Sequence, residues 1–278
     1  MRFHFDRKQK REGEARKPTR FLVLRRKWLT LAAAGLAVIA VFAAVNYPAA
    51  VSAAASTRQL PIYCVQRDQK VCSISFDAAW GADNTQKILD VLKEYGVTCT
   101  FFVVGNWADQ YPEQARAIVE SGNELENHSN AHDHFNSLSA DAIIADVNTC
   151  NDKIEALTGV RPTLIRCPYG EYDDHVISAI RSMGMEPIQW DVDSLDWKGI
   201  SASEITKRVT SKVQSGSIVL FHNAGEHTPE ALPDILDYLL AEGYDIVPIS
   251  EILLKCECTI DHTGRQCPVG ESGEMSLA

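Results

Sequence analysis

The chain lacks the hallmarks of several common protein classes. It contains no Gly-rich GxGxxG or GxxxxGK loop, which argues against a nucleotide-binding domain. No internal repeat or low-complexity segment stands out in its main body. It also has no basic stripe after residue 27. The total net charge is −10, and residues 1–27 carry +8, so the rest of the chain carries −18. Phosphate contacts need clustered Lys and Arg, so we expect no nucleic-acid partner.

An uncharged apolar run follows the basic tail. Trp28–Val45 spans 18 residues without a charged side chain, close to the length of about 20 that a membrane-spanning helix needs. The basic residues before it would keep the N-terminus in the cytoplasm. The sequence thus predicts a cytoplasmic tail over residues 1–27 and an anchor over residues 28–47. A cleavable signal peptide with a small-residue site near Ala54, or a buried core helix, are the alternatives.

Whether the apolar run is an anchor or a cleaved signal peptide, the rest of the chain is exported. We therefore expect a single-pass cell-membrane protein with its main domain outside the cytoplasm, or a secreted one if the segment is cleaved. Export would permit disulfides. The chain has eight cysteines, of which Cys72, Cys99 and Cys150 fit buried apolar positions, whereas Cys256, Cys258 and Cys267 could form a small disulfide knob in a polar tail over residues 256–278. Their connectivity cannot be obtained from sequence.

Residues 48–70 form a small-residue spacer, and the folded domain is predicted over residues 71–255. Short apolar runs alternate there with amphipathic segments, and a helical stripe runs from Ser139 to Gly159. This alternation predicts parallel strands with helical crossovers. Its length suits a seven-fold or incomplete α/β barrel, with an open doubly wound sheet as the alternative. The strands are predicted at 71–76, 99–104, 124–127, 163–166, 186–191, 217–221 and 244–248.

Polar residues follow several of these strands. They lie where the carboxyl ends of parallel strands meet, which is where α/β proteins bind ligands. Any one of them could simply be a structural polar group, but polar residues at five strand ends on one edge indicate a site. The residues are Asp77, His128, Arg166, His222 and the pair Asp191 and Asp193.

The chemistry of these side chains indicates hydrolysis. His128 and His132 are four apart and would share one face of a helical turn, as paired zinc ligands do. Asp77 could act as a general base that Arg166 holds ionised. His222 has the intrinsic pKa of a general acid or base near neutrality. Together they predict metal-assisted hydrolysis of an amide or ester.

The order of these motifs resembles that of the polysaccharide deacetylases, the NodB-homology carbohydrate esterases, over roughly residues 71–254. The resemblance implies a distorted (β/α)7 barrel and a divalent metal, zinc by preference, on His128 and His132. It gives Arg166 the task of orienting the base Asp77. It also implies that Asp196 tunes the general acid His222. Residues at the substrate are, by the same resemblance, Tyr169 with its backbone N–H on the oxyanion, Trp197 and Trp80 lining the site, and Leu220 facing the acetyl methyl.

The first motif departs from the family pattern of two consecutive aspartates. Ala78 stands where the second, a metal ligand, is usual. This variant is similar to the sporulation-associated branch of peptidoglycan deacetylases. Three outcomes are open: a weaker metal site of two histidines and water, replacement of the ligand by Asp83 or Asp133, or loss of the metal.

The resemblance and the expected location imply an N-deacetylase acting on amino sugars of a cell-wall polysaccharide, peptidoglycan first. A non-catalytic glycan-binding or spore-wall assembly protein and a metal-independent amidase are the alternatives.

Overall fold

The computed structural model of the protein describes residues 58–269. Its helices and strands alternate along most of this part of the chain. The strands are β1 (Cys64–Val65), β2 (Val71–Ala78), β3 (Thr100–Val103), β4 (Glu124–Asn127), β5 (Leu164–Ile165), β6 (Glu186–Pro187), β7 (Val192–Asp193), β8 (Ile218–His222), β9 (Asp245–Ile246), β10 (Cys258–Ile260) and β11 (Arg265–Pro268). The helices are α1 (Thr85–Tyr95), α2 (Gly105–Gln110), α3 (Pro112–Glu120), α4 (Ala140–Thr158), α5 (Asp174–Ser182), α6 (Ala202–Thr210), α7 (Thr228–Ala241) and α8 (Ile249–Ile252).

The main sheet is parallel throughout and curled. Its strand order is β6-β5-β4-β3-β2-β8-β7, with β9 paired to the start of β2. The two end strands of this order are consecutive in the chain, and residues 188–191 alone join them. Five residue steps reach at most about 18 Å, whereas seven strands in a flat sheet would span about 29 Å. The sheet must therefore curl until its edges approach.

The strand predictions are confirmed in position, although several observed strands are only two residues long. β2 is buried along seven of its eight residues, as expected for a parallel strand covered on both faces. The predicted helical stripe is α4, which begins after the N-cap Ser139 and ends at Gly159 in the left-handed conformation. The Ser139 hydroxyl accepts a hydrogen bond from the Ala142 N–H, a cap that typically contributes about 1 kcal/mol.

A second, three-stranded sheet extends the fold beyond the predicted domain boundaries at both ends. β1 pairs in parallel with β11, which pairs antiparallel with β10. Ile62 and Val65 are buried in the core, so the fold begins before residue 71 and the spacer predicted over residues 48–70 is too long. The polar tail likewise belongs to the fold up to residue 268.

The predicted membrane anchor lies outside the described residues. Among residues 58–269, no helix has the length and apolar character needed to cross a bilayer.

Candidate active site

A pocket of about 570 Å³ opens at the carboxyl ends of the strands. That volume falls in the range of about 300–1,000 Å³ that small-ligand sites occupy. Segments after six strands, β2, β4, β5, β6, β7 and β8, contribute to its wall, because parallel strands deliver their ends to the same edge of the sheet. Its lining includes Asp77, Trp80, His128, His132, Tyr169, Trp190, Asp193, Trp197, Leu220, His222 and Asn223.

Asp77 lies near the end of β2 and forms a buried ion pair with Arg166. Asp77 Oδ1 is 2.7 Å from an Arg166 terminal nitrogen, and the arginine is fully buried. The guanidinium also donates to the Gln189 carbonyl at 3.2 Å and lies over the Phe102 ring. The second carboxylate oxygen, Oδ2, is 3.5 Å from His128 Nε2. The pair thus fixes one Asp77 oxygen and leaves the other at the pocket.

The electrostatics keep Asp77 ionised. Burial alone would raise the pKa of this carboxyl, but the charge of Arg166 and the neighbouring His128 and His222 outweigh it and hold the pKa below its ordinary value. Burial lowers the pKa of His128, which is therefore neutral near pH 7. Because the Arg166 carbonyl only accepts, His128 Nδ1, 2.7 Å from it, carries the ring proton. The Nε2 lone pair then faces the Asp77 side of the pocket.

A second pair joins His222, the last residue of β8, to Asp196. His222 Nδ1 is 2.8 Å from Asp196 Oδ1, while the other oxygen accepts from the His222 backbone N–H at 2.8 Å and from the Thr228 hydroxyl at 2.7 Å. Burial alone would lower the pKa of His222. The hydrogen bond to Asp196 and the charge of Asp77 outweigh that effect, so the pKa lies above its ordinary value. Since Nδ1–H points to Asp196, the Nε2–H is the proton available to the pocket.

His128 and His132 meet, but not on a helical turn as predicted. They lie in a loop in which Ser129 and His132 both have positive φ, 72° and 62°. The Asp146 carboxylate accepts the Asn130 N–H at 2.9 Å and so holds this loop. The two imidazole centroids are 4.9 Å apart.

These two histidines do not amount to a complete zinc site. Catalytic zinc takes about three protein ligands, and metal-bound histidines normally donate their second ring N–H to a partner. The Ala78 side chain has no atom that could bind a metal, and the buried Nδ1 of His132 has no hydrogen-bond partner. Within residues 58–269 there is no group of three or more His, Cys, Asp or Glu placed to hold a metal. Asp83, the predicted replacement ligand, is exposed in the turn before α1 and belongs to no such group.

Aromatic side chains form the rim. Trp80, Tyr169 and Trp197 are each more than half exposed, at 61%, 53% and 58%. Tyr169 and Gly170 both have left-handed backbone, and Gln189 holds their turn by donating to the Gly170 carbonyl at 3.0 Å. Solvent-exposed aromatic faces beside a pocket that holds charged side chains are suited to stacking on sugar rings. Leu220, by contrast, is buried in the pocket wall.

Two residues at the site escaped the sequence analysis. The His134 ring stacks on Tyr169 with centroids 4.1 Å apart, and its Nδ1 is 2.9 Å from a Glu171 carboxylate oxygen. Asn223 is buried beside His222; its backbone N–H donates to the Asp77 carbonyl and its amide to the Gly81 carbonyl. The sequence held one signal for each residue. Asn223 directly follows His222, and His134 forms an HxH pattern with His132.

Asp191 does not share this edge of the sheet, contrary to the prediction. Its carboxylate accepts hydrogen bonds from the Ser217 hydroxyl and the Ile218 N–H, both at 2.8 Å. Ile218 begins β8, so Asp191 lies at the opposite end of that strand from His222. Asp193, two residues later, does line the pocket.

The geometry matches a known family. Residues 65–188 fit the sequence model of the polysaccharide deacetylases. A solved structure of peptidoglycan deacetylase PdaC from Bacillus subtilis is 36% identical and has a TM-score of 0.62, with 68% of this chain and 92% of that one aligned. The chain belongs to the polysaccharide deacetylase family.

Other members of the family are similarly related. BA3943 of Bacillus anthracis, described as a CE4 family pseudoenzyme, is 33% identical with a TM-score of 0.68, over 70% of this chain and 69% of that one. The peptidoglycan-N-acetylglucosamine deacetylase PgdA of Listeria monocytogenes is 31% identical over 71% of this chain. The chain covers only 40% of full-length PdaC and 42% of PgdA.

Proposed function

We propose that this protein removes N-acetyl groups from amino sugars of a cell-wall polysaccharide, most directly peptidoglycan. The observation that carries the proposal is the convergence of two oriented pairs, Asp77 with Arg166 and His222 with Asp196, on one pocket. One pair keeps a carboxylate ionised and the other stabilises a protonated imidazole. Amide hydrolysis needs both a base for water and an acid for the departing amine. The names of PdaC and PgdA support the substrate class.

In the proposed reaction Asp77 takes a proton from the attacking water. Arg166 occupies Oδ1, so Oδ2 is the oxygen that receives the proton. The neutral His128 lies 3.5 Å from that oxygen, so a water beside both atoms can also donate to His128 Nε2, and this second hydrogen bond orients it.

His222 protonates the amine as the tetrahedral intermediate collapses and acetate leaves. Asp196 holds Nδ1, so the proton comes from Nε2. The Tyr169 backbone N–H faces the oxyanion, which such a donor stabilises by about 3–4 kcal/mol in other hydrolases. Leu220 packs against the acetyl methyl, and Trp80 and Trp197 stack on the sugar.

We further propose that the domain works outside the cytoplasm, behind the anchor predicted over residues 28–47, and that its curled sheet is the distorted (β/α)7 barrel of the family. The apolar run, its basic flank and the polymeric substrate support this placement.

The test is acetate release from purified peptidoglycan and from N-acetylglucosamine oligomers. Wild type is compared with Asp77→Asn and His222→Ala, each with added Zn²⁺ or Co²⁺ and with chelator. We expect release by wild type and a loss of at least about 100-fold in both variants. Activity that survives in Asp77→Asn would show that the base is misassigned.

A second function, glycan binding without catalysis, is favoured by one observation. Ala78 lacks the carboxylate that the family pattern has at this position, and the similar protein BA3943 is described as a pseudoenzyme. The same assay separates the two functions. If wild type releases no acetate under any metal condition but sediments with peptidoglycan, and Trp197→Ala abolishes that sedimentation, binding replaces deacetylation as the function.

A further inference from the structure

The exposed thiols of this protein lie together, away from the pocket. Five of the eight cysteines, Cys64, Cys72, Cys99, Cys150 and Cys167, are buried in the core. Burial raises the pKa of each of these thiols, so that they are both inaccessible and protonated. Cys256 is exposed, and Cys258 and Cys267 are half-buried. Thiol chemistry on the folded protein is therefore confined to the C-terminal hairpin.

Cys256 and Cys258 are already in contact. The chain bends at Cys256 and Glu257, just before β10 begins at Cys258, and this bend turns the two side chains toward each other. Their sulfur atoms are 3.6 Å apart. A disulfide bond of about 2.05 Å needs a further approach of about 1.6 Å, which rotation of two side chains on an exposed loop can supply.

Cys267 is placed differently. In the ladder of β10 and β11 it lies opposite Thr259, whereas Cys258 lies opposite Pro268. Successive residues of a strand point to opposite faces, so Cys258 and Cys267 project from different sides of the hairpin. The Cys267 sulfur is instead 3.6 Å from the Arg265 carbonyl. The register thus selects the pair Cys256 and Cys258 rather than a pair with Cys267.

We propose that Cys256 and Cys258 form a redox-active dithiol that closes to a disulfide by exchange with a disulfide-bearing oxidant, either a protein or a small molecule. The exposed Cys256 thiolate attacks the oxidant, forms a mixed disulfide and releases one thiol. Cys258 then attacks the Cys256 sulfur and expels the second thiol. Two electrons pass to the oxidant, and the two protons leave with its thiols.

The pair lies where the two ends of the fold are joined. Just before it, the Leu254 N–H donates to the Gln266 side chain, and Arg67 donates to the Ile252 carbonyl. β1, at the start of the described chain, pairs with the same hairpin. Closing the ring fixes the bend between α8 and β10. Because the ring contains only three residues, its bond is expected to remain reducible by ordinary thiols, unlike a relaxed structural disulfide.

The test uses the full-length chain, purified under reducing conditions and equilibrated with mixtures of oxidised and reduced glutathione. Free thiols are then alkylated in denaturant, and the protein is digested with trypsin. Cleavage after Lys255 and Arg265 gives one peptide that contains both Cys256 and Cys258, and Cys267 falls in the next peptide. We expect the first peptide to become unalkylated and two hydrogens lighter as the glutathione mixture is made more oxidising, and to revert when it is made reducing.

Cys258→Ser and Cys267→Ser serve as matched variants. The first should abolish the internal disulfide and leave Cys256 as a mixed disulfide with glutathione, whereas the second should leave the transition unchanged. Cross-linked peptides that join Cys267 to either partner as the main product, or full alkylation of both cysteines at every glutathione ratio, would overturn the proposal. Neither outcome depends on deacetylase activity.

Discussion

The buried pair of Asp77 and Arg166 allows a quantitative test of the site's electrostatics by Arg166→Met, which keeps most of the aliphatic stem. The arginine side chain is fully buried and that of Asp77 is 7% exposed, so solvent screens the pair very little. Removing one partner of such a pair leaves an uncompensated buried charge, and we expect a loss of about 3–5 kcal/mol in unfolding free energy at pH 7.

The loss should depend on pH in a definite direction. In wild type the pKa of Asp77 is held below its ordinary value, so its contribution to stability is present above the ordinary pKa and is lost only as the pH falls through the lowered value. Without Arg166, burial raises the pKa of Asp77 in the folded variant. The variant is therefore destabilised at every pH at which Asp77 is ionised in the unfolded chain. Each unit of that rise is worth about 1.4 kcal/mol. The difference between variant and wild type should therefore shrink as the pH falls from 7 toward 4.

The assay is guanidinium unfolding followed by tryptophan fluorescence at several pH values, with the full-length protein in mild detergent. Arg161→Met is the control, because the Arg161 side chain is 42% exposed and pairs with Asp152 and Glu155 at the surface. It should lose no more than about 1 kcal/mol, without a strong pH dependence. A loss as small as the control's in Arg166→Met, or one that is equal at pH 5 and pH 7, would refute the reasoning.

Three further predictions concern neighbouring groups. Burial raises the pKa of Glu126 to about 8, so wild type should lose stability as the pH rises from about 4.5 to about 8, and Glu126→Gln should remove at least about 1 kcal/mol of that loss in unfolding titrations. An unchanged pH profile would contradict the assignment. Asp196→Asn removes the carboxylate whose hydrogen bond raises the pKa of His222, so the high-pH fall in kcat/KM should move down by at least about one unit; an unshifted limb would show that His222 is not the acid. Ala78→Asp restores the carboxylate that the family pattern has at this position, and calorimetry should show Zn²⁺ binding at least about tenfold tighter than in wild type, whereas equal affinity would place the metal elsewhere.

The position of the pocket at the carboxyl ends of the strands was predictable because the signals for it are local in the sequence. A buried apolar run ends at Asp77, another at His222, and parallel strands bring such ends together wherever the intervening helices lie. Helix α4 was predictable for the same reason, since the helical spacing of its apolar residues and both of its capping residues can be read from the sequence. The same reasoning placed Arg166 correctly from a strand of only two residues.

The features that were missed depend on distant partners. β1 and β11 pair across about two hundred residues of chain, and no local pattern in the segment before residue 71 signals that pairing. The spacing of His128 and His132 is helical, but Asp146 from α4 binds the intervening backbone and holds it in a loop. Asp191 follows an apolar run as Asp77 does, yet it directly precedes β7, and its carboxylate lies at the start of the neighbouring strand β8.

Acetate release from purified peptidoglycan, measured side by side for wild type and Asp77→Asn, tests the central claim most directly. The account predicts release by wild type and a fall of at least about 100-fold in the variant, with unfolding still cooperative and glycan binding retained. Equal release by the two proteins, or none by wild type under any metal condition, would contradict it.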